Sequence, residues 1–145
     1  MKQDGFSLLE VIIVMLLLMI GSFGLNASTR YVEETKFKVL VKQVEKGIKS
    51  AQYMASITGR EYNVYCGEKT VYIILNARDS RKAVYMFEMD KNISIPRNIT
   101  GKSITFSGGM APSKGGTIEF INTALAKRAR ITVRIATGKT TIYFE

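Results

Sequence analysis

The chain has 145 residues, 46% of them hydrophobic, with one cysteine, no histidine and a net charge of +9. This length suits one small domain, and the lack of histidine excludes Ser-His-Asp and Cys-His catalytic sites and histidine-based metal sites. The acidic residues show no spacing that suits a general acid–base pair, so the sequence predicts no enzyme, no metal site and no cofactor. The positive charge favours anionic partners such as nucleic acid or lipid headgroups.

The first predicted element is an N-terminal helix that starts with an apolar run. Residues 6–25 contain a single charged residue, Glu10, and residues 11–20 are apolar without interruption. Twenty helical residues rise about 30 Å, which matches the hydrocarbon layer of a bilayer. The run therefore predicts a transmembrane helix. A carboxylate inside such a span is costly without a partner, which marks Glu10 as a functional residue.

Two other interpretations account for part of this stretch. In the first, Glu10 only marks the membrane interface and the span starts after it. In the second, the stretch is a removable signal peptide with a small-residue cleavage site at residues 25–27. A signal peptide requires a basic leader and an uncharged core, whereas one aspartate offsets the only lysine of this leader and Glu10 heads the core. Neither interpretation accounts for Gly5 and Phe6.

The sequence GFSLLE at residues 5–10 resembles the processing site of type IV pilins and type II secretion pseudopilins. In that family a short leader ends in glycine, and an apolar residue, a small hydroxyl residue, two aliphatic residues and glutamate follow. The resemblance implies that a prepilin peptidase cleaves between Gly5 and Phe6, and that Phe6 becomes N-methylated. It also implies that Glu10 acts in assembly by pairing with the N-terminal amine of a neighbouring subunit, since an ammonium is the partner that a membrane-embedded carboxylate lacks.

The same resemblance implies partners and a location. The partners are other pilins or pseudopilins in a filament, the prepilin peptidase, an assembly platform protein in the membrane, and the lipid bilayer before assembly. The chain is expected to cross the cell membrane once, with its N-terminus cytoplasmic and its C-terminal domain outside, and then to enter a cell-surface filament. Basic residues crowd after the span, which by charge counting places the C-terminal part inside. Long domains translocate largely regardless of charge, so we expect the topology of the family.

Beyond the apolar run the helix is predicted to continue as an amphipathic segment over residues 26–58. Apolar residues recur there at alternating intervals of four and three, at Phe37, Val41, Val44, Ile48, Ala51 and Ala55. This spacing forms one stripe along a helix. The stripe packs either on the protein's own sheet, which we favour, or on another subunit as a coiled-coil seam. Gly59 provides the C-terminal stop.

From Glu61 onward the apolar period changes from helical to two. Residues 59–145 therefore predict a globular domain of roughly six or seven short antiparallel strands. Together with residues 1–5 as the leader and residues 6–25 as the transmembrane or filament-core helix, the sequence predicts an α+β fold. In this pilin fold the long N-terminal helix packs on one antiparallel β-sheet.

Two hairpins have predicted registers. A turn at Gly67-Glu68 places Val64 opposite Val71. A turn at Gly138-Lys139 places Val133 opposite Phe144.

The last forty residues sharpen the resemblance. Residues 106–144, with a glycine-rich loop and two strands before Thr137-Gly138-Lys139, resemble the H-type minor pseudopilin, its FimT-like relatives and the D-type minor pilin of Gram-positive competence pili. The resemblance implies a minor pilin assembled near the tip of a type IV pilus-like filament. The function that we favour for this filament is DNA uptake in natural competence. The alternative is a minor pseudopilin of a type II protein secretion system.

A DNA-binding or adhesive module at the tip is a further interpretation. Basic residues cluster in the last predicted hairpin, and phosphate groups bind such clusters. The candidate DNA-binding residues are Lys127, Arg128, Arg130, Arg134 and Lys139. A solvated sheet face accounts for the same residues, and so this hypothesis depends on how the strands place them.

Overall fold

The structure is a computed structural model that describes residues 8–77, 80–99 and 102–145, with side chains described for all of these except residues 21–28, 77 and 80. It confirms the predicted α+β fold, with a long helix on antiparallel strands. In the described residues, helix α1 spans Leu8–Thr58 and eight strands follow it: β1 Glu61–Cys66, β2 Thr70–Ala77, β3 Ser80–Glu88, β4 Ile93–Ser94, β5 Ser103–Ser107, β6 Gly116–Asn122, β7 Lys127–Val133 and β8 Thr140–Phe144. The chain divides into two compact units, Met1–Lys36 and Phe37–Glu145.

The first unit contains the start of α1, which is apolar around its whole circumference. Every side chain from Leu8 to Ile20 is exposed to solvent, including Leu8 at 80% and Leu18 at 66%. None of the helices in the described part of the chain is both long and apolar enough to cross a membrane. The predicted leader, residues 6 and 7 of the predicted span, and the side chains of residues 21–25 lie outside what the structure describes.

The core of the second unit lies between α1 and the strands. The predicted stripe is buried there, with no member more than 1% exposed: Phe37, Val41, Val44, Ile48, Ala51 and Ala55. It packs in one cluster with inward-facing residues of the strands, among them Val64, Ile73, Phe106, Ile118, Phe120 and Ile131. Burying each of the larger side chains contributes about 1.5–3 kcal/mol, which fixes the stripe on the protein's own strands. Gly59 ends the helix with a φ of +64°, and its N–H donates to the carbonyl of Ala55 at 3.0 Å.

The described strands form two four-stranded sheets, whereas the sequence predicted one. The strand orders are β3-β2-β1-β5 and β4-β6-β7-β8, and every pairing is antiparallel. The chain leaves the first sheet after β3, begins the second with β4, and returns to pair β5 with β1 before it completes the second sheet. Alternating polarity shows which face of a strand is buried but does not identify its neighbour. The alternation of apolar and polar residues along the strands was therefore compatible with one sheet or with two.

The predicted register of the first hairpin was wrong by two residues. Val64 lies opposite Ile73, not Val71. The tip of the turn lies one residue later than predicted, because the N–H of Gly67 donates to the carbonyl of Thr70 at 2.8 Å. A shift by an even number of residues leaves each side chain on its predicted face, so the buried residues were still identified correctly.

The predicted register of the last hairpin was wrong by four residues. Val133 lies opposite Thr140, not Phe144. The connection is longer than a two-residue turn, because the chain folds back through a bond from the N–H of Gly138 to the carbonyl of Arg134 at 2.8 Å. Gly138 adopts a φ of +64°, a conformation that glycine tolerates best.

The β7–β8 loop is attached to α1 by one side chain. The Nε2 of Gln52 donates to the carbonyl of Gly138 at 3.2 Å and also to the carbonyl of Met110. A Cβ at Gly138 would collide with both the Met110 carbonyl and Gln52. The close approach of the three segments therefore requires glycine at this position.

We expect Ile48→Ala to lower the free energy of unfolding by about 2–5 kcal/mol, because it leaves a cavity where the side chain is now fully buried. The matched control is Ile57→Ala, on the same helix but 61% exposed, which should change it by less than about 0.5 kcal/mol. Urea unfolding of the detergent-solubilised chain measures both. Equal effects would contradict the assignment of the buried face.

Candidate functional site

The first candidate site is the start of α1, where one carboxylate lies in an apolar surface. Glu10 lies in the first turn of the helix, where the helix dipole favours a negative charge. Its neighbours Leu9 and Val11 are exposed, as Glu10 itself is. Glu10 forms no ion pair with any residue that the structure describes. Gly5 and Phe6, the predicted processing residues, lie outside the described residues.

The apolar side chains beside Glu10 also lack cover within this chain. A surface of consecutive leucine, isoleucine, valine and methionine side chains is unfavourable in water, at about 25 cal/mol for each Å² left exposed. Contiguous exposed apolar surface on a protein marks a contact with a membrane or with another protein. The surface at the start of α1 is therefore typical of a helix that is covered by a membrane or by another protein.

The second candidate site is the basic hairpin formed by β7 and β8. The structure places Lys127, Arg128 and Arg130 on β7, Arg134 directly after that strand, and Lys139 directly before β8. Arg128 and Arg130 are exposed and alternate with the buried Ala129 and Ile131. The backbone N–H of Arg134 donates to the carbonyl of Lys139 at 3.1 Å, so these two residues face each other across the base of the loop. The five predicted residues thus lie on one hairpin.

Two arginines of this hairpin are paired with carboxylates that the sequence analysis did not connect to them. Nη1 of Arg128 lies 3.7 Å from Oε1 of Glu119 on β6, and Arg130 is hydrogen-bonded to Glu145. Neither glutamate is close to its arginine in sequence, so only the pairing of β7 with β6 and β8 brings them together. The two carboxylates reduce the positive charge that the hairpin presents to a phosphate backbone. Arg134 and Lys139 form no ion pair with any described residue.

A metal or nucleophile site finds no support in the described part of the chain. No group of three or more histidine, cysteine, aspartate or glutamate side chains lies close enough there to hold a metal ion. Cys66 is buried in the core, and this burial raises the pKa of its thiol to about 12. The thiol is therefore protonated at neutral pH and serves as an apolar packing group, since the thiolate is the reactive form.

Comparison with known proteins gives a match for one segment of the chain. Residues 1–26 match the family model of the prokaryotic N-terminal methylation motif. No curated protein and no solved structure matches the chain. The matched residues include the predicted processing residues and Glu10, and they extend one residue beyond the apolar run of residues 6–25. This motif is typical of type IV pilins and pseudopilins, and it supports a type IV pilin-like or pseudopilin protein.

Proposed function

We propose that the chain is a minor pilin of a type IV pilus-like filament, inserted in the membrane, cleaved between Gly5 and Phe6 and N-methylated at Phe6. One observation carries the proposal: the methylation motif overlaps the start of a helix on which every side chain from Leu8 to Ile20 is exposed. The bilayer covers this surface before assembly, and the helices of neighbouring subunits cover it in the filament. The N-terminus is cytoplasmic, where the peptidase and the assembly platform act, and the folded unit is outside the cell.

Cleavage and assembly are linked through the new N-terminus. Removal of the leader creates an amine at Phe6, four residues before the carboxylate of Glu10. Within one subunit, the amine of Phe6 and the carboxylate of Glu10 are held at fixed positions on the same helix. The amine of a neighbouring subunit, in contrast, can be placed directly against Glu10. Both groups are desolvated in an apolar environment, where an unpaired charge is costly and a pair is favourable. The pair therefore sets the position of one subunit relative to the next.

The proposed cleavage site is tested by Gly5→Val. A peptidase must approach the backbone at the scissile bond, and a branched side chain obstructs that approach. We expect the variant to accumulate as full-length precursor in membranes, detected by mass on gels. Gly21→Val, which preserves the apolar run, is the control and should be processed as the wild type is. Normal processing of Gly5→Val would place the cleavage elsewhere.

The proposed role of Glu10 is tested by Glu10→Ala. The variant should insert and be cleaved, because it removes an unpaired charge from the span, but it should be absent from sheared filaments because the amine of its neighbour has lost its partner. Glu33→Ala, which removes a half-buried glutamate from the same helix, should incorporate normally. Incorporation of Glu10→Ala at the wild-type level would reduce Glu10 to a marker of the membrane interface.

We further propose that the filament serves DNA uptake in natural competence, with this subunit near the tip. The net charge of +9 supports this use, and so do Arg134 and Lys139 of the last hairpin, which form no ion pair with any described residue. The alternative, a minor pseudopilin of a type II protein secretion system, requires no contact with DNA. A DNA-binding measurement therefore separates the two.

Arg134→Ala combined with Lys139→Ala should weaken duplex DNA binding by the detergent-solubilised chain. Loss of two phosphate contacts should reduce the slope of log affinity against log salt by about 1.8, at about 0.9 for each contact. The control is Lys82→Ala with Lys102→Ala, which removes the same charge from exposed positions elsewhere. Gel shifts at two salt concentrations measure both pairs. Equal losses would indicate diffuse attraction to a basic protein, and no binding at about 50 mM salt would contradict a role in DNA uptake.

A further inference from the structure

A groove lies between the second half of α1 and strand β3, within the second unit. Its volume is about 500 Å³, and it is lined by Gln43, Lys46, Gly47, Ser50, Tyr85 and Phe87. Strand β3 is the end strand of its sheet, so the groove opens beside a sheet edge. Edges of this kind are open to pairing with another chain unless they are covered.

The groove depends on a glycine inside the helix. A Cβ at Gly47 would lie 2.7 Å from the Cζ atom of Phe87, and 3.0 Å from the Cδ1 atom of Ile73. Glycine therefore lets the ring of Phe87 lie against the helix backbone, although glycine is unfavourable in the middle of a helix. The ring of Tyr85 stacks beside that of Phe87 with centroids 6.3 Å apart, and its hydroxyl lies 3.5 Å from Oγ of Ser50. These contacts give the groove an aromatic floor.

Exposed apolar side chains extend the groove along α1. Val39 is seven residues before Lys46, and Ile57 is seven residues after Ser50. A separation of seven residues returns to the same helix face, so both lie in line with the groove. Both are exposed, as are Tyr53 and Met54 near them. A second apolar surface thus lies on α1 outside the core, and such surfaces mark contacts with other proteins.

The rim of the groove is positively charged. Lys46 lines the groove, and Lys42 lies one turn earlier on α1. Neither lysine forms an ion pair with any residue that the structure describes. The ion pairs of Glu33 with Lys36 and of Glu45 with Lys49 on this helix use other lysines. The groove therefore combines an apolar floor with an unbalanced positive charge.

We infer that this groove binds an acidic segment of a different filament subunit. An apolar side chain of that segment packs on Tyr85 and Phe87, and a neighbouring carboxylate pairs with Lys46. A second copy of this chain is a poor occupant, because each copy carries a net charge of +9 and like charges oppose their contact. A bilayer is also a poor occupant, because a flat surface does not enter a concave groove. The inference rests on the proposed filament function and names the partner at this surface.

Thiol labelling tests the inference on the full chain. In Ser50→Cys the new thiol lies in the groove, and the native Cys66 is buried and protonated, which keeps the background low. The control Ser107→Cys places a thiol at an exposed position on the end strand β5. In detergent, both variants should react with a maleimide. In sheared filaments, labelling of Ser50→Cys should fall about tenfold or more, because only the minor fraction of subunits with an open groove reacts. Labelling of Ser107→Cys in the same filaments measures the reactivity of a thiol outside the groove.

Charge reversal identifies the partner. Lys46→Glu should restore labelling of Ser50→Cys in filaments, and the matched change Lys49→Glu, at a lysine that is paired with Glu45 and does not line the groove, should restore much less. When the chain is expressed alone in the membrane, Ser50→Cys should label fully. Co-expression with acidic pilin-motif proteins of the same cell, one at a time, should restore protection with at least one of them.

The outcomes separate this inference from the proposed function. Full labelling of Ser50→Cys in filaments that contain the chain would overturn the groove inference and leave the filament function intact. Protection of Ser50→Cys in the chain expressed alone would indicate a second copy or the bilayer as occupant, which would also overturn it. Absence of the wild-type chain from filaments on immunoblots would overturn both proposals.

Discussion

The structure depends on one constraint: an apolar helix surface that carries a single carboxylate cannot stay exposed to water. Every side chain from Leu8 to Ile20 is exposed in the isolated chain, and Glu10 is the only charged residue among them. Burying the apolar side chains is favourable only if the carboxylate is neutralised in the same step. A filament of like helices, each with a free amine near its own start, meets both requirements at once. The methylation motif at residues 1–26 supplies that amine under the proposed processing.

In the second unit, the buried apolar side chains of α1 are covered by the chain's own strands. From Phe37 onward one apolar stripe of α1 is buried in a core that it shares with strands of both sheets. The core of this unit is closed by its own strands, and the groove beside β3 is one of the apolar surfaces that remain outside it. The positive charge of the chain then selects among partners. Under the proposed groove binding, the lysines at the rim of the groove disfavour another copy of the chain and favour an acidic subunit.

The sequence predicted the features that depend on local periodicity and missed those that depend on distant contacts. The stripe on α1 and the buried faces of the strands followed from spacing, and the helix end followed from the glycine at position 59. The two sheets did not, because alternation is the same whichever strand is the neighbour. Both hairpin registers failed because the turns at Gly67 and Gly138 are closed by hydrogen bonds that the turn residues alone do not specify. The carboxylates beside Arg128 and Arg130, and the groove that Gly47 permits, come from residues far apart in sequence. They became visible only with the strand order.

The central claim is that residues 1–5 are removed and Phe6 becomes the methylated N-terminus of a filament subunit. Mass spectrometry of the wild-type chain, isolated from membranes and from sheared filaments, tests this most directly. The account predicts an N-terminal peptide that begins at Phe6 and carries one additional methyl group in both fractions. An intact Met1, or a start at Ser28 as signal-peptide cleavage would produce, would contradict it.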